Sequence, residues 1–309
     1  MVLGVARSAT TWLATTLAAA TGGVYIDEPD GHAKHPAALV AKAGLGMFPT
    51  DTSVDERLLD LWVTVSDPST AAAGHPLIPA MQRRLWRMTP GPAKDHAVKR
   101  RRRPNAAHHI CRMAFGQLPA PCPPADVAGP VILKSVHACL YADSLARSLP
   151  LARFVVTRRD ITEVTASWLR LGYYPFGDDQ KSDLERAAAA AGISLPISDN
   201  SVAALVSTVG LQQVALQHVA RRRGWFVFDH GRATDDPEAE FGATINALGL
   251  SASTDLASLL SRSASSGGTY ETRRTPVEAH QWRRGLTAEQ QDELEYEVSR
   301  FTTDLGSRP

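Results

Sequence analysis

MVLGVARSATTWLATTLAAATGGVYIDEP, residues 1–29, is the stretch from which the rest of the chain is read. Met1-Val2-Leu3 is a short apolar run stopped by Gly4, and Trp12, Leu13, Thr16, Leu17 and Ala20 recur at helical spacing until Gly22-Gly23. Val24-Tyr25-Ile26 is then a second strand, closed by Asp27, Glu28 and the breaker Pro29. The order is strand, small-residue turn, helix, strand. The first strand is either unusually short or has its true start upstream of Met1. An apolar run so near the N-terminus also resembles a signal peptide, but its only preceding basic residue, Arg7, sits late, and four threonines at 10, 11, 15 and 16 dilute the run.

Further along, the same alternation resumes. Residues 131–133 and 154–156 read as strands followed by helices over 140–149 and 160–171; a long helix over 202–223 leads to a strand at 225–228, and helices follow at 237–248 and 287–303. Strands that alternate with helices imply an α/β fold of three layers, a mostly parallel sheet with helices on both faces, and the small-residue turn between the first strand and its helix sets the expectation of a phosphate-loop type. Residues 30–129 are proline-rich and poor in strand signals, with helical patterns at 55–65 and 77–88. The expected organisation is one domain over 1–309 in which 30–129 form a helical and loop insertion over the top of the core.

Composition narrows the partners. With 33 basic and 32 acidic residues among 309 the formal net charge is +1, so no whole-molecule field attracts nucleic acid or an anionic membrane. The apolar stretches fall short of the roughly 20 residues of a membrane span. Cys111, Cys122 and Cys139 are odd in number and lack metal-ligand spacing, which fits a reducing, cytoplasmic setting and no metal site. The run 99–103 (KRRRR) has no interleaved aromatic residue and so offers no base stacking; an anionic partner other than nucleic acid suits it better.

In open parallel sheets ligands bind beyond the carboxyl ends of the strands, so the residues after each strand matter most. The turn 4–11 feeds a helix N-terminus and presents backbone amides and the helix dipole to an anion. Against the phosphate-loop pattern G-x-x-x-x-G-K-[ST] it keeps Gly4 and Thr11 but has Ala9 and Thr10 in the glycine and lysine positions. The cation lies earlier, at Arg7.

Arg7-Ser8-Ala9-Thr10-Thr11-Trp12-Leu13 resembles the R-S-G-T-T-W-L element of the sulfotransferases that use 3′-phosphoadenosine 5′-phosphosulfate (PAPS). In that family the element holds the 5′-phosphosulfate, which implies cofactor contacts from Arg7, Ser8, Ala9, Thr10, Thr11 and Trp12. Residues 154–168, FVVTRRDITEVTASW, are similar to the family's strand and helix whose arginine and serine bind the 3′-phosphate; Arg159 and Ser167 have that spacing. Thr272-Arg273-Arg274 and residues 281–287 resemble the family's late basic loop and the helix after it, which implies a cofactor role for Arg273 and Arg274. Ala6 and Ala9 depart from the usual proline and glycine, and an alanine in a left-handed conformation costs roughly 1 to 2 kcal/mol.

The resemblance implies transfer of a sulfuryl group from PAPS to a hydroxyl, or secondarily an amine, of a small molecule, lipid or glycan. A sulfuryl group carries less charge than a terminal phosphate, so protein cations suffice without metal; Arg7 and Lys134 are the candidates. Read alone, Lys134 is equally a surface lysine laying its stem along the protein. For the base, His137 resembles the histidine that follows the strand lysine in several sulfotransferases, and Glu28 the glutamate-proline step of carbohydrate sulfotransferases; His137 is slightly preferred. Two other readings stand beside this one: a diverged phosphate-loop kinase or NTPase, opposed by Thr10 in the lysine position, and a non-catalytic polyanion-binding protein.

Overall fold

The computed structural model describes residues 1–31, 36–42, 45, 48–66, 129–172, 178–193, 201–265 and 281–306. The helix expected at 77–88, the basic run 99–103, Cys111, Cys122, Arg273 and Arg274 lie outside the described residues. Five parallel strands, β1 (Val2–Leu3), β2 (Val24–Asp27), β3 (Val131–Ser135), β4 (Val155–Arg158) and β5 (Phe226–Asp229), form one sheet in the order β2-β3-β1-β4-β5. Helix α1 (Thr10–Thr21) follows β1. α2 (Pro36–Ala41) and α3 (Glu56–Ser66) lie between β2 and β3, α4 (Ala142–Ser148) follows β3, and α5 (Ile161–Arg170) follows β4. Then come α6 (Asp178–Ala190), α7 (Ser201–Arg223), α8 (His230–Asp235), α9 (Pro237–Ala247), α10 (Leu256–Ser265), a 3-10 turn (Gln281–Arg283) and α11 (Ala288–Gly306).

The period-two alternation of strand side chains separates the core into two layers. Val2, Ile132 and Val155 face α1, α9 and α10, where Leu13, Leu17, Phe241 and Leu260 cover them. Leu3, Leu133 and Val156 face the other way, onto Trp62, Leu145, Val164 and Val209 of α3, α4, α5 and α7. Burial on both faces is why these short strands read as apolar runs. The fold is therefore three-layer α/β with a sheet that is parallel throughout. Among the described residues α7 alone has the length and apolarity of a membrane span, and 78% of that window is buried, where it packs on α5 and α11.

Local rules set the boundaries. Asp160 caps α5 by accepting from the Glu163 amide at 3.1 Å, and Asp236 caps α9, whose first residue is Pro237. Gly22, at φ 63°, ends α1. Gly4 is required for a different reason. A Cβ there would stand 1.9 Å from Thr157 Oγ1 and 2.7 Å from Ser8 Oγ, so the turn after β1 and the end of β4 meet at the glycine backbone. Gly4→Ala is expected to lower stability by about 1–3 kcal/mol through this overlap, read as a fall in the thermal midpoint; an unchanged midpoint would show that the turn can move aside.

Candidate functional site

The turn after β1 takes a conformation that non-glycine residues seldom adopt. Arg7 (φ 77°) and Ala9 (φ 69°) are both left-handed and bracket Ser8. Alanine thus stands in a conformation that favours glycine, at the cost noted above. The turn is held by Ser8, whose hydroxyl donates to the Val5 carbonyl at 2.6 Å and lies 2.6 Å from Thr157 Oγ1, and by the Trp168 indole, which donates to the Ala6 carbonyl at 2.9 Å. Ala9 has no side chain to cap α1. The amides of Thr10, Thr11 and Trp12, in the first turn of that helix, have no acceptor within it.

The second arginine element lies against this turn. Arg159 donates through a terminal nitrogen to the Arg7 carbonyl at 3.1 Å and through Nε to Glu163 at 2.7 Å, while Arg7 Nε donates to Ser167 Oγ at 2.8 Å. Arg159 and Ser167 stand about two turns apart along α5, and Arg7 reaches both of them. Gln213 of α7 supports the bend by donating to the Arg159 carbonyl at 2.6 Å. The opening turn and the flank of α5 therefore form one continuous basic wall.

Sequence reasoning missed one neighbour of this wall, since it arrives from a distant strand. His230, at the start of α8, is nearly buried, packs edge-on to Trp12 and has Nδ1 3.9 Å from Glu163. Burial, with Arg159 assisting, lowers its pKa to about 3, so it is neutral. Trp12 is itself buried among Phe228, Phe241 and His230, and its indole N–H has no hydrogen-bond partner among the described residues. A buried donor left unpaired costs about 1–3 kcal/mol; its position beside the turn fits a bound ligand as the missing acceptor.

Lys134 is not a surface lysine. It is 3% exposed and ion-paired to Asp27, at 3.0 Å, and to Glu28. The pairing follows from strand register, which sets Asp27 beside Lys134 on adjacent strands. Tyr25 donates to the same Asp27 oxygen at 2.7 Å, and burial first, then Asp27, raises its phenol pKa far above the ordinary value. Glu28 is left-handed at φ 46°, with its carboxylate committed to the ammonium. His137 is exposed, on the turn after β3, and its amide donates to Ser135 Oγ at 2.9 Å. All these groups gather beyond the carboxyl ends of the strands. A cavity of about 550 Å³, lined by Met1, Val131, Leu149 and Leu250, lies at the opposite end.

Residues 1–191 match a family model described as the sulfotransferase family. That is well over half of the 309 residues, and the chain belongs to the sulfotransferase family. The match takes in the turn, Lys134, His137 and the Arg159 to Ser167 segment. Comparison with curated proteins and with solved structures gives no significant match.

Proposed function

We propose that this sulfotransferase uses PAPS as donor and transfers the sulfuryl group to a hydroxyl of a small-molecule, lipid or glycan acceptor, with an amine as a secondary possibility. The observation that carries the reading is the contact of Arg7 with both Arg159 and Ser167, since a donor with anionic groups at its 5′ and 3′ ends needs two anion sites on one wall. The residues present fit such a donor. The uncapped start of α1 suits the 5′ group, Arg159 and Ser167 the 3′-phosphate, and the orphaned Trp12 indole a polar atom between them. Bound PAPS supplies a sulfuryl group on a phosphosulfate linkage whose cleavage leaves adenosine 3′,5′-bisphosphate.

The chain's own groups hold charge and move one proton. Arg7 and the Thr10 and Thr11 amides face the anion from the β1 turn, and Lys134 faces it from β3. The Asp27 and Glu28 carboxylates hold the ammonium in place. His137 accepts the acceptor's proton. Glu28 is the weaker choice of base because its carboxylate is bound to Lys134, and protonating it would break that pair. No cluster of His, Cys, Asp or Glu suited to a metal occurs among the described residues; the proposed chemistry runs on protein cations. One domain over 1–309 remains the proposed organisation, with 30–129 shaping the acceptor site.

The test is mass spectrometry for products that gain a sulfuryl group when the protein and PAPS meet a panel of hydroxylated metabolites. No product with any acceptor, together with equal affinity for AMP and adenosine 3′,5′-bisphosphate, would overturn the reading. On the acceptor found, His137→Gln is expected to lower turnover roughly 10²- to 10⁴-fold with bisphosphate affinity nearly unchanged. If Glu28→Gln shows that pattern instead, Glu28 is the base.

A further inference from the structure

The turn after β2 carries a carboxylate that the proposed reaction does not use. The Gly31 amide donates back to the Glu28 carbonyl at 2.7 Å, and this tight reversal drives Asp30 into the interior, where it has no exposed surface. Its oxygens accept from the Ser135 hydroxyl at 2.9 and 3.0 Å and from the Tyr141 phenol at 2.6 Å, and Lys42 Nζ lies 3.7 Å away. Tyr141 in turn accepts from the Trp62 indole at 3.3 Å. A buried carboxylate is costly unless it is hydrogen-bonded and paired, and here β3, the turn before α4, α3 and the end of α2 all contribute to satisfying one.

Ser135 shows what the arrangement does. A hydroxyl has one proton and two lone pairs. Its proton goes to Asp30, and its oxygen accepts from the His137 amide at 2.9 Å and the Ala138 amide at 3.1 Å. With the proton committed, both lone pairs point at the turn 135–138. We infer that Asp30 is the positioning residue for His137, locking its turn through the Ser135 hydroxyl and setting a fixed negative charge below that turn. The inference rests on the reading of His137 as the base.

The groups facing Asp30 are Lys42 just after α2, His137 and Cys139 from the turn after β3, and Tyr141 just before α4. Burial alone would raise the Asp30 carboxyl, but Lys42, His137 and the hydrogen bonds from Tyr141 and Ser135 outweigh it and hold the group below its ordinary value. Burial, followed by the Asp30 charge, pushes the Cys139 thiol to about 12 and the Tyr141 phenol upward as well, so both stay neutral. Lys134, Asp27 and Glu28 form a separate ion-paired group at the neighbouring strand ends. The fixed anion favours the imidazolium form, so removing it shifts the His137 titration to lower pH.

The experiment is NMR on the full chain with labelled histidine, the His137 signal being assigned by its loss in His137→Gln. Asp30→Asn keeps the shape and removes the charge; its His137 midpoint is expected to fall by about half a pH unit or more. Ser135→Ala keeps the charge and removes the anchor; its His137 and Ala138 amides are expected to exchange at least about tenfold faster. In both variants affinity for adenosine 3′,5′-bisphosphate should stay within about twofold. A midpoint that does not move in folded Asp30→Asn, or amides that stay protected in Ser135→Ala, overturns the inference; if Asp30→Asn does not fold, Ser135→Ala decides. Failure of the base assignment is read elsewhere: His137→Gln that still sulfates its acceptor sinks that assignment and leaves the positioning of the turn standing.

Discussion

Lys134→Met is expected to cut sulfation at least about a hundredfold, the size of effect seen when a preorganised donor is removed from a developing anion. It should also destabilise the chain, because Asp27 and Glu28 would face each other without the ammonium between them. Breaking a buried ion pair by removing one partner costs roughly 3–5 kcal/mol. The lower end applies here, since the Asp27 side chain is 26% exposed and water relieves part of the repulsion. Turnover at saturating PAPS and a urea melt separate the two effects. A variant that melts early but turns over normally would leave Lys134 a structural lysine.

Arg159→Ala is expected to weaken binding of adenosine 3′,5′-bisphosphate by roughly 10- to 100-fold, the equivalent of one charge-assisted hydrogen bond of about 1.5–3 kcal/mol. Affinity for AMP, which lacks the 3′-phosphate, should change much less. Calorimetry with the two nucleotides measures the difference. Equal losses for both would mean that Arg159 acts only by bracing the Arg7 carbonyl, and the 3′ site would have to be sought elsewhere.

These two residues illustrate what a linear reading can reach. Arg159 was legible as a candidate because its element is local: the strand end, the arginine and the helix carrying Ser167 all lie within residues 154–168. Lys134 was legible as a candidate but not in its environment. Nothing local distinguishes a lysine on a strand from a solvated one; burial between two carboxylates appears only when β2 and β3 pair in register across more than one hundred residues of chain. His230 and Asp30 were not legible as site groups at all. Each is an ordinary polar residue after a strand, and its importance comes from neighbours on other elements, Glu163 and Trp12 for one, Ser135 and Tyr141 for the other.

The sequence by itself determined the alternation of strands and helices, the three-layer class, the turn at Gly4 to Thr11 and the elements that carry Arg7, Lys134, His137 and Arg159. Those are consequences of periodicity, capping and turn chemistry, which act over a few residues. Only the tertiary structure decided that the sheet is parallel throughout in the order β2-β3-β1-β4-β5, that Arg7 spans to Ser167, that Lys134 is clasped by Asp27 and Glu28, and that Asp30 stands under the His137 turn. The reason is physical: charge pairing and burial depend on distance in space, and strand pairing brings together groups that spacing along the chain leaves far apart.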